Sequence, residues 1–362
     1  MNILLIITNR YRGPIPVMPL GACLVAESCE REGHHVKLLD LMFERDPLHA
    51  LGAVIDKIKP DVVVTVDAPD FSLRVAKKIQ GKSIPLVHYV APSVWAWKPG
   101  RAKKIAPILD HLMTLLPFEP PYFEREGLAS TFVGHSILES DAAMGDGAAF
   151  RSRHNIDPVA KVLTVLPGSR HSEVKFLLPA IFDAIKHLDH SNLRVILPTV
   201  ETLETEIKQA IAIWPEEISK LVTIVTGEEA KIDAFAASDA AIAASGTVAL
   251  ELAMARVPYV TIYKFNALTA VIARRLVKTP FVNIINVLLD REVVPELIQE
   301  DCRGDVIAPH ITKFLSGDDS AKLQVANFEE AIARLQDDDQ KPSERAAKVV
   351  LEVIVQHAKL SK

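Results

Sequence analysis

Cysteine is scarce: Cys23, Cys29 and Cys302 are the only three in 362 residues, with no CxxC and no paired Cys/His spacing. Neither a disulfide framework nor a zinc site is indicated, and a reducing cytosol fits. No apolar stretch reaches the roughly 18 to 20 residues that span a bilayer, so any membrane contact is expected to be peripheral. Met1-Asn2 runs at once into the strand-like Ile3-Leu4-Leu5-Ile6-Ile7, without the basic region and cleavage site of a signal peptide, so no export is implied. Excess positive charge is also missing. The formal net charge of -5 gives no global reason to bind nucleic acid, although local basic patches can still meet anionic substrates or lipid head groups. There is no repeat of solenoid period and no low-complexity tract.

What is present is ordinary globular material, with 49% hydrophobic and 24% charged residues, in a chain long enough to favour two domains. Short β-rich runs alternate with helical patterns at Ile3 to Thr8, Val36 to Leu39, Asp61 to Val66, Leu86 to Val90 and Leu112 to Leu116. A second series runs through Val162 to Leu166, Leu193 to Leu197, Leu221 to Val225, Ala240 to Ala244 and Tyr259 to Ile262. Such alternation predicts βα units around parallel sheets, two Rossmann-like domains facing a cleft. The small, polar segment Glu139 to Gly147 reads as a linker, which sets the domains at residues 1–145 and 146–330. Beyond Asp301 the pattern is almost wholly helical, and residues 331–362 are expected as C-terminal helices packing back on the domains.

In open parallel sheets ligands sit beyond the carboxyl ends of the strands, and the informative motifs fall there. Ser245-Gly246-Thr247 joins the apolar strand Ala240 to Ala244 to a helical pattern from Val248. Glycine admits a ligand to the backbone, the hydroxyls donate hydrogen bonds, and the N–H groups of a helix start favour an anion such as a diphosphate. The same residues also read as an ordinary helix cap. Glu251, four residues on, shares the helical face of Thr247, where a carboxylate can accept both hydroxyls of a ribose; a plain solvated glutamate fits as well. Leu166-Pro167-Gly168-Ser169-Arg170 closes another strand, and there a guanidinium can clamp a phosphate without any metal, or simply stand beside a tight turn.

In the first half Asp67-Ala68-Pro69-Asp70-Phe71 follows a strand. Pro69 disfavours helix at Ala68, so Asp67 is expected in an extended strand-end position and Asp70 as the cap of a helix from near Ser72. Asp67 then reads either as a general base on an acceptor hydroxyl or as a second turn-forming aspartate. The loop Pro92 to Arg101 holds Trp95 and Trp97 and leads to Lys103 and Lys104, a mixture that suits sugar faces and phosphates but also describes core tryptophans beside a solvated basic helix.

Through these residues the sequence resembles the lipid-A-disaccharide synthase family, inverting glycosyltransferases of family 19 with a GT-B type fold. The resemblance runs in order through Asp67 to Phe71, His88 to Trp97, Leu116-Pro117-Phe118-Glu119-Pro120 and Phe132-Val133-Gly134-His135. It continues through Leu166 to Arg170, Ala244 to Thr247, Arg275-Leu276-Val277-Lys278-Thr279, Asn286, Arg291 to Leu297 and Glu300-Asp301-Cys302. It implies transfer of 2,3-diacylglucosamine from its UDP derivative onto 2,3-diacylglucosamine 1-phosphate, giving a β-1,6-linked disaccharide phosphate and UDP, with no metal and no cofactor. Asp67 is then similar to the family's base. Gly168, Ser169, Arg170, Ser245, Gly246, Thr247 and Glu251 are similar to its UDP site, with Asn286, Arg291 and Glu296 as a further donor-side patch. Ser93, Trp95, Trp97 and Arg101 fall on the acceptor side.

The departure lies in the first sixty residues. The family's small glycine-rich opening turn is replaced by Thr8-Asn9-Arg10-Tyr11-Arg12-Gly13-Pro14, and the segment before Asp67 is shorter, without an apolar, basic stretch. The opening instead resembles the first strand and loop of cobalamin-binding domains attached to radical enzymes, yet no Asp-x-His-x-x-Gly and no three-cysteine cluster follows. Three readings therefore stand: the disaccharide synthase, a related UDP-sugar transferase or epimerase, and a non-enzymatic nucleotide- or cobalamin-binding module. The basic clusters Lys98 to Lys104 and Arg274 to Lys278 predict peripheral contact with an anionic membrane, at the inner face of the inner membrane.

Overall fold

The computed structural model describes residues 1–7, 20–41, 44, 46–266, 279–336 and 339–360. Thr8 to Pro19 and the basic cluster at Arg274 to Lys278 lie outside the described residues. The chain forms two compact units, Met1–Glu139 with Arg334–Lys362, and Ser140–Ala333.

The first unit holds β1 (Asn2–Ile7), β2 (His35–Asp40), β3 (Val62–Val66), β4 (Leu86–Tyr89), β5 (His111–Thr114) and β6 (Ser130–Phe132). They form one parallel sheet in the order β2-β1-β3-β4-β5-β6. Both faces of the central strands are covered, which is why β1 and β3 read as continuous apolar runs, whereas the edge strand β2 exposes His35 and Lys37. Leu4, Ile6 and Val63 point to one core, and Ile3, Leu5, Val62 and Val64 to the other. The second core is closed by helices Leu20–Arg31 and Pro342–Leu360, the latter burying Ala346, Val350 and Val353 against it. The C-terminal helix thus belongs to the core of the first unit.

The second unit holds β7 (Lys161–Leu166), β8 (Leu193–Thr199), β9 (Val222–Thr226), β10 (Ala240–Ala244), β11 (Tyr259–Tyr263) and β12 (Glu296–Ile298). Its parallel order is β12-β11-β10-β7-β8-β9. In each sheet the strand order reverses once, between β1 and β3 and between β7 and β10. Those reversals are where the connecting helices part to opposite faces and open a crevice at the strands' carboxyl ends.

Two expectations change. The segment Glu139 to Gly147 is not a loose linker: it carries a 3₁₀ turn at Asp141–Ala143 and then Asp146, whose side chain caps helix Gly147–Arg153. Its glycines are steric, since a Cβ on Gly145 or Gly147 would stand 2.3 Å from the carbonyl oxygen of Ile232 or Ala236 on helix Glu228–Ala237. Asp67 and Ala68 are not extended. Both adopt left-handed backbone, φ 50° and 42°, and the helix begins at Pro69, which puts Asp70 inside its first turn rather than at its cap.

Candidate active site

The carboxyl ends of β7 and β10 are neighbours, because Leu166 pairs with Ala243 in the sheet. After β7 the chain turns at Gly168, φ 102°, into helix His171–Lys186. A side chain at Gly168 would drive its Cβ to 2.3 Å from Glu173 Oε2. That glutamate is buried and holds the turn. Its Oε2 accepts from the Ser169 N–H at 3.0 Å, and its Oε1 accepts from Arg170 Nη1 at 2.5 Å. The Arg170 side chain is 60% exposed, so its charge is steered by Glu173 yet open to solvent.

After β10, Ser245 donates its Oγ to the carbonyl of Val282 at 3.3 Å, while Gly246 and Thr247 are exposed. Thr247 precedes helix Val248–Met254 and makes no side-chain cap bond, so capping is not what places the hydroxyls here. A Cβ on Gly246 would meet nothing within 4 Å, and protein packing therefore does not explain the glycine. Glu251 is not a plain solvated carboxylate. It pairs with Lys231 at 3.0 Å, and Lys231 also pairs with Glu228 at 2.7 Å. Burial pulls the Lys231 ammonium down, but the two carboxylates outweigh it and hold its pKa above the ordinary value. At the end of β11, Tyr263 has its phenol pushed up by burial and by the charge of Glu173, with Arg170 acting against them.

Glu296, Asn286 and Ser245 meet through one segment. The Glu296 carboxylate accepts from the N–H groups of Val282 at 2.9 Å and Asn283 at 2.9 Å, and from Asn286 Nδ2 at 2.8 Å. Asn286 is fully buried; its Nδ2 also reaches the Val294 carbonyl and its Oδ1 accepts from the Val293 and Val294 N–H groups. Its amide is spent inside the protein, so it fixes the segment that carries Ser245's acceptor rather than offering itself to a ligand. Arg291 is not brought to this edge. It precedes β12 and pairs with Glu330 and Asn327 on helix Asp319–Leu335, which packs at the amino ends of the strands through Phe328 stacked on Tyr259. In a parallel sheet that is the side opposite the two turns.

In the first unit strain gathers at the ends of β3 and β4. Asp67 and Ala68 are left-handed, and Val90, a β-branched residue, has φ 80°, a conformation such residues take only under constraint. The Asp67 N–H donates to the Tyr89 carbonyl at 2.9 Å and its own carbonyl accepts from Ser72 Oγ, so the backbone is pinned from both sides while the residue stays exposed. Buried beneath, His88 Nδ1 is hydrogen-bonded with Thr65 Oγ1 at 2.8 Å, and burial lowers its pKa to about 4. In the loop that follows, Trp95 donates Nε1 to Glu119 at 3.1 Å and packs edge-on against Phe118. Ser93 and Trp97 are exposed, with the Lys98 ammonium 4.3 Å over the Trp97 ring. Arg101 pairs with Asp70.

No role follows from the sequence for Lys231, Asn283 or Glu119, and Glu173 reads there only as a residue that opens the helix after Arg170. Glu173 lies three residues after Arg170, a visible helical spacing, and Glu119 lies in the motif Leu116 to Pro120. Lys231 and Glu251 come from separate helices, and no local pattern announces their meeting.

The family model for lipid-A-disaccharide synthetase matches residues 47–350. The lipid-A-disaccharide synthase of Rhodospirillum centenum is 48% identical over 306 residues, 83% of this chain and 75% of its own length. That of Paramagnetospirillum magneticum is 46% identical over 308 residues, 83% and 78% of the two chains. Among solved structures, Staphylococcus aureus MnaA in complex with UDP aligns over 99% of this chain and 97% of its own with a TM-score of 0.65 and 11% identity. A glycosyltransferase from Rickettsia africae covers 99% and 98% with a TM-score of 0.62 and 14% identity. These structural likenesses are of fold, the paired parallel sheets of the GT-B type. The sequence match, which spans residues of both compact units, places the chain in the lipid-A-disaccharide synthetase family, the hexosyltransferases that form the lipid A disaccharide.

Proposed function

We propose that the chain joins UDP-2,3-diacylglucosamine to 2,3-diacylglucosamine 1-phosphate, with the donor's diphosphate held by the two turns at the β7/β10 reversal. The observation that carries this reading is their adjacency: Arg170, steered by a buried glutamate, and Ser245-Gly246-Thr247, with a glycine that packing does not require, close neighbouring strand ends. At the start of helix Val248–Met254 the N–H groups of Ala249, Leu250 and Glu251 turn back onto the Gly246 and Thr247 carbonyls, which leaves those of Gly246, Thr247 and Val248 to meet an anion at the same edge. Glu251, anchored by Lys231, accepts the ribose hydroxyls.

In the transfer, the acceptor's 6-hydroxyl oxygen attacks the donor's anomeric carbon as the bond to the diphosphate oxygen breaks, inverting that carbon. The hydroxyl proton passes to the Asp67 carboxylate, and the charge left on UDP is met by Arg170 and the backbone N–H groups. The pinned, left-handed backbone at Asp67 supports this role, because strain of that kind persists where the surroundings over-determine it for use. Contact with an anionic membrane, at the inner face of the inner membrane, belongs to the same proposal and is supported by the exposed Lys98, Lys103 and Lys104.

Incubation with labelled UDP-diacylglucosamine and the lipid acceptor tests the reading. Disaccharide phosphate and UDP are expected in equal amounts, and Asp67→Ala is expected to cut kcat by about 100-fold or more while leaving UDP affinity near the wild-type value. UDP binding without disaccharide would overturn it, and unchanged turnover in Asp67→Ala would remove the base.

A further inference from the structure

Helix Pro69–Ile79 follows directly on Asp67 and Ala68, and Asp70, Leu73, Arg74 and Lys77 share one of its faces at the i, i+3, i+4, i+7 spacing. Between that face and helix Arg101–Ile105 lies a cavity of about 230 Å³. Its floor is apolar, from Leu73, Ile105 and Ile108, and its walls carry Arg74, Lys77, Arg101 and Lys104. Asp70 is the one carboxylate lining it, and it is turned to the rim, 92% exposed, where it pairs with Arg101. Lys77 and Lys104 have no carboxylate partner among the described residues. Arg74 stacks 5.1 Å over Phe71 and gives its Nε to the Asp70 carbonyl at 3.2 Å, a posture that fixes the guanidinium and keeps its Nη groups for another acceptor. A merely solvated basic face would be convex and would not set its cations around an apolar floor.

We propose that this cavity is the seat of the acceptor's phosphomonoester, an inference that rests on the transferase reading above. Four cations against one carboxylate suit a dianion, and a phosphate takes charge-assisted hydrogen bonds from arginine in bidentate fashion and from lysine as a point charge. The placement follows the helix. Arg74 and Lys77 lie roughly 8 and 12 Å along the axis from Pro69, given a rise of 1.5 Å per residue. The 6-hydroxyl that Asp67 deprotonates is carried, through C6, on C5 and the 1-phosphate on C1, the two carbons that flank the ring oxygen, and the Arg74 side chain leans back along the helix toward Asp70, so one helix addresses both groups on that edge of the sugar. The apolar floor then lies beside the phosphate, where the sugar's acyl substituents begin.

The test compares 2,3-diacylglucosamine 1-phosphate with the same acceptor lacking phosphate. In the variant combining Arg74→Ala and Lys77→Ala, KM for the phosphorylated acceptor is expected to rise about tenfold or more, the loss typical of charged hydrogen bonds. Turnover of the phosphate-free acceptor stays at its wild-type level. Asp70→Asn, which removes the lone carboxylate, is expected to act in the opposite sense and lower KM for the phosphorylated acceptor, a gain that misfolding cannot mimic. Equal losses on both acceptors, or no change on either, overturn the proposal. So does loss of binding to phosphatidylglycerol vesicles with KM unchanged, which would make the cavity a lipid-headgroup site. Calorimetric binding of the two acceptors keeps the inference separate from the reaction. If the wild type forms no disaccharide, the transferase reading fails, while a phosphate preference that the double variant abolishes still upholds the site.

Discussion

Glu119 is a carboxylate in a place where a charge is expensive, 3% exposed, yet three N–H groups converge on it from Trp95, Leu115 and Leu116. Burial dominates and pushes its pKa up to about 7, with the three donors pulling the other way. Between the ordinary value of 4.5 and about 7 the folded protein keeps a proton that the unfolded chain has lost, so stability falls as pH rises through that window and is level above it. The slope from this one group is at most about 1.4 kcal/mol per pH unit. Glu119→Gln is expected to flatten that decline. It also costs about 1 to 3 kcal/mol at pH 5, because an amide offers one acceptor oxygen to donors arriving on two sides. Urea unfolding of both proteins at several pH values checks this, and an undiminished slope in the variant would assign the decline to other groups. The side chain stood in the motif Leu116 to Pro120, but nothing local in that motif says that Trp95 would meet it, since the partners are 24 residues apart.

At the scale of elements, the strand–turn–helix after β7 depends on one position that cannot carry a side chain. Gly168 combines φ 102° with a Cβ path blocked by Glu173. Alanine there must shift Glu173, and with it the bonds to Ser169 and Arg170; the strained backbone alone costs about 1 to 3 kcal/mol. Gly168→Ala is therefore expected to lower the melting temperature and to weaken UDP binding several-fold, read by calorimetry. Unaltered UDP affinity in a folded variant would detach Arg170 from the donor. All ten expected strands are present; burial on both faces writes β1, β3, β7 and β10 as apolar runs, while the less buried β2 and β9 alternate apolar with polar residues. β6 and β12 were not legible: each is three residues long at a sheet edge and half-buried, so neither period nor hydrophobicity marks it. The left-handed turn at Asp67 and Ala68 was hidden for a different reason, since the constraint that imposes it comes from Tyr89 and Ser72, not from Pro69 alone. Likewise the positions of Asn286 and Arg291 in the chain do not tell which edge of the sheet each serves; that is set by how the segment before β12 folds.

Taken over the whole molecule, charge and hydropathy point in different directions, and salt separates them. The net charge of -5 opposes approach to an anionic surface, and among the described residues no helix is long and apolar enough to cross a membrane. The proposed membrane contact would therefore draw on a local patch, and Lys98, Lys103 and Lys104 are exposed within seven residues. Each lysine near an anionic surface contributes about 1 kcal/mol, so three give about 3 kcal/mol, on the order of a hundredfold in partition. Such attraction acts over a Debye length of about 8 Å at physiological salt and about 3 Å at 1 M. Cosedimentation with phosphatidylglycerol vesicles is expected at low salt, to be lost at 1 M salt, and to be reduced about tenfold or more by Lys98→Ala with Lys103→Ala. Neither residue lines the proposed phosphate cavity, so acceptor discrimination should survive in that variant. Binding that persists at 1 M salt would point to apolar insertion instead. Full recovery of the wild type in the supernatant at low salt would leave the enzyme to meet its lipid substrates without help from surface charge.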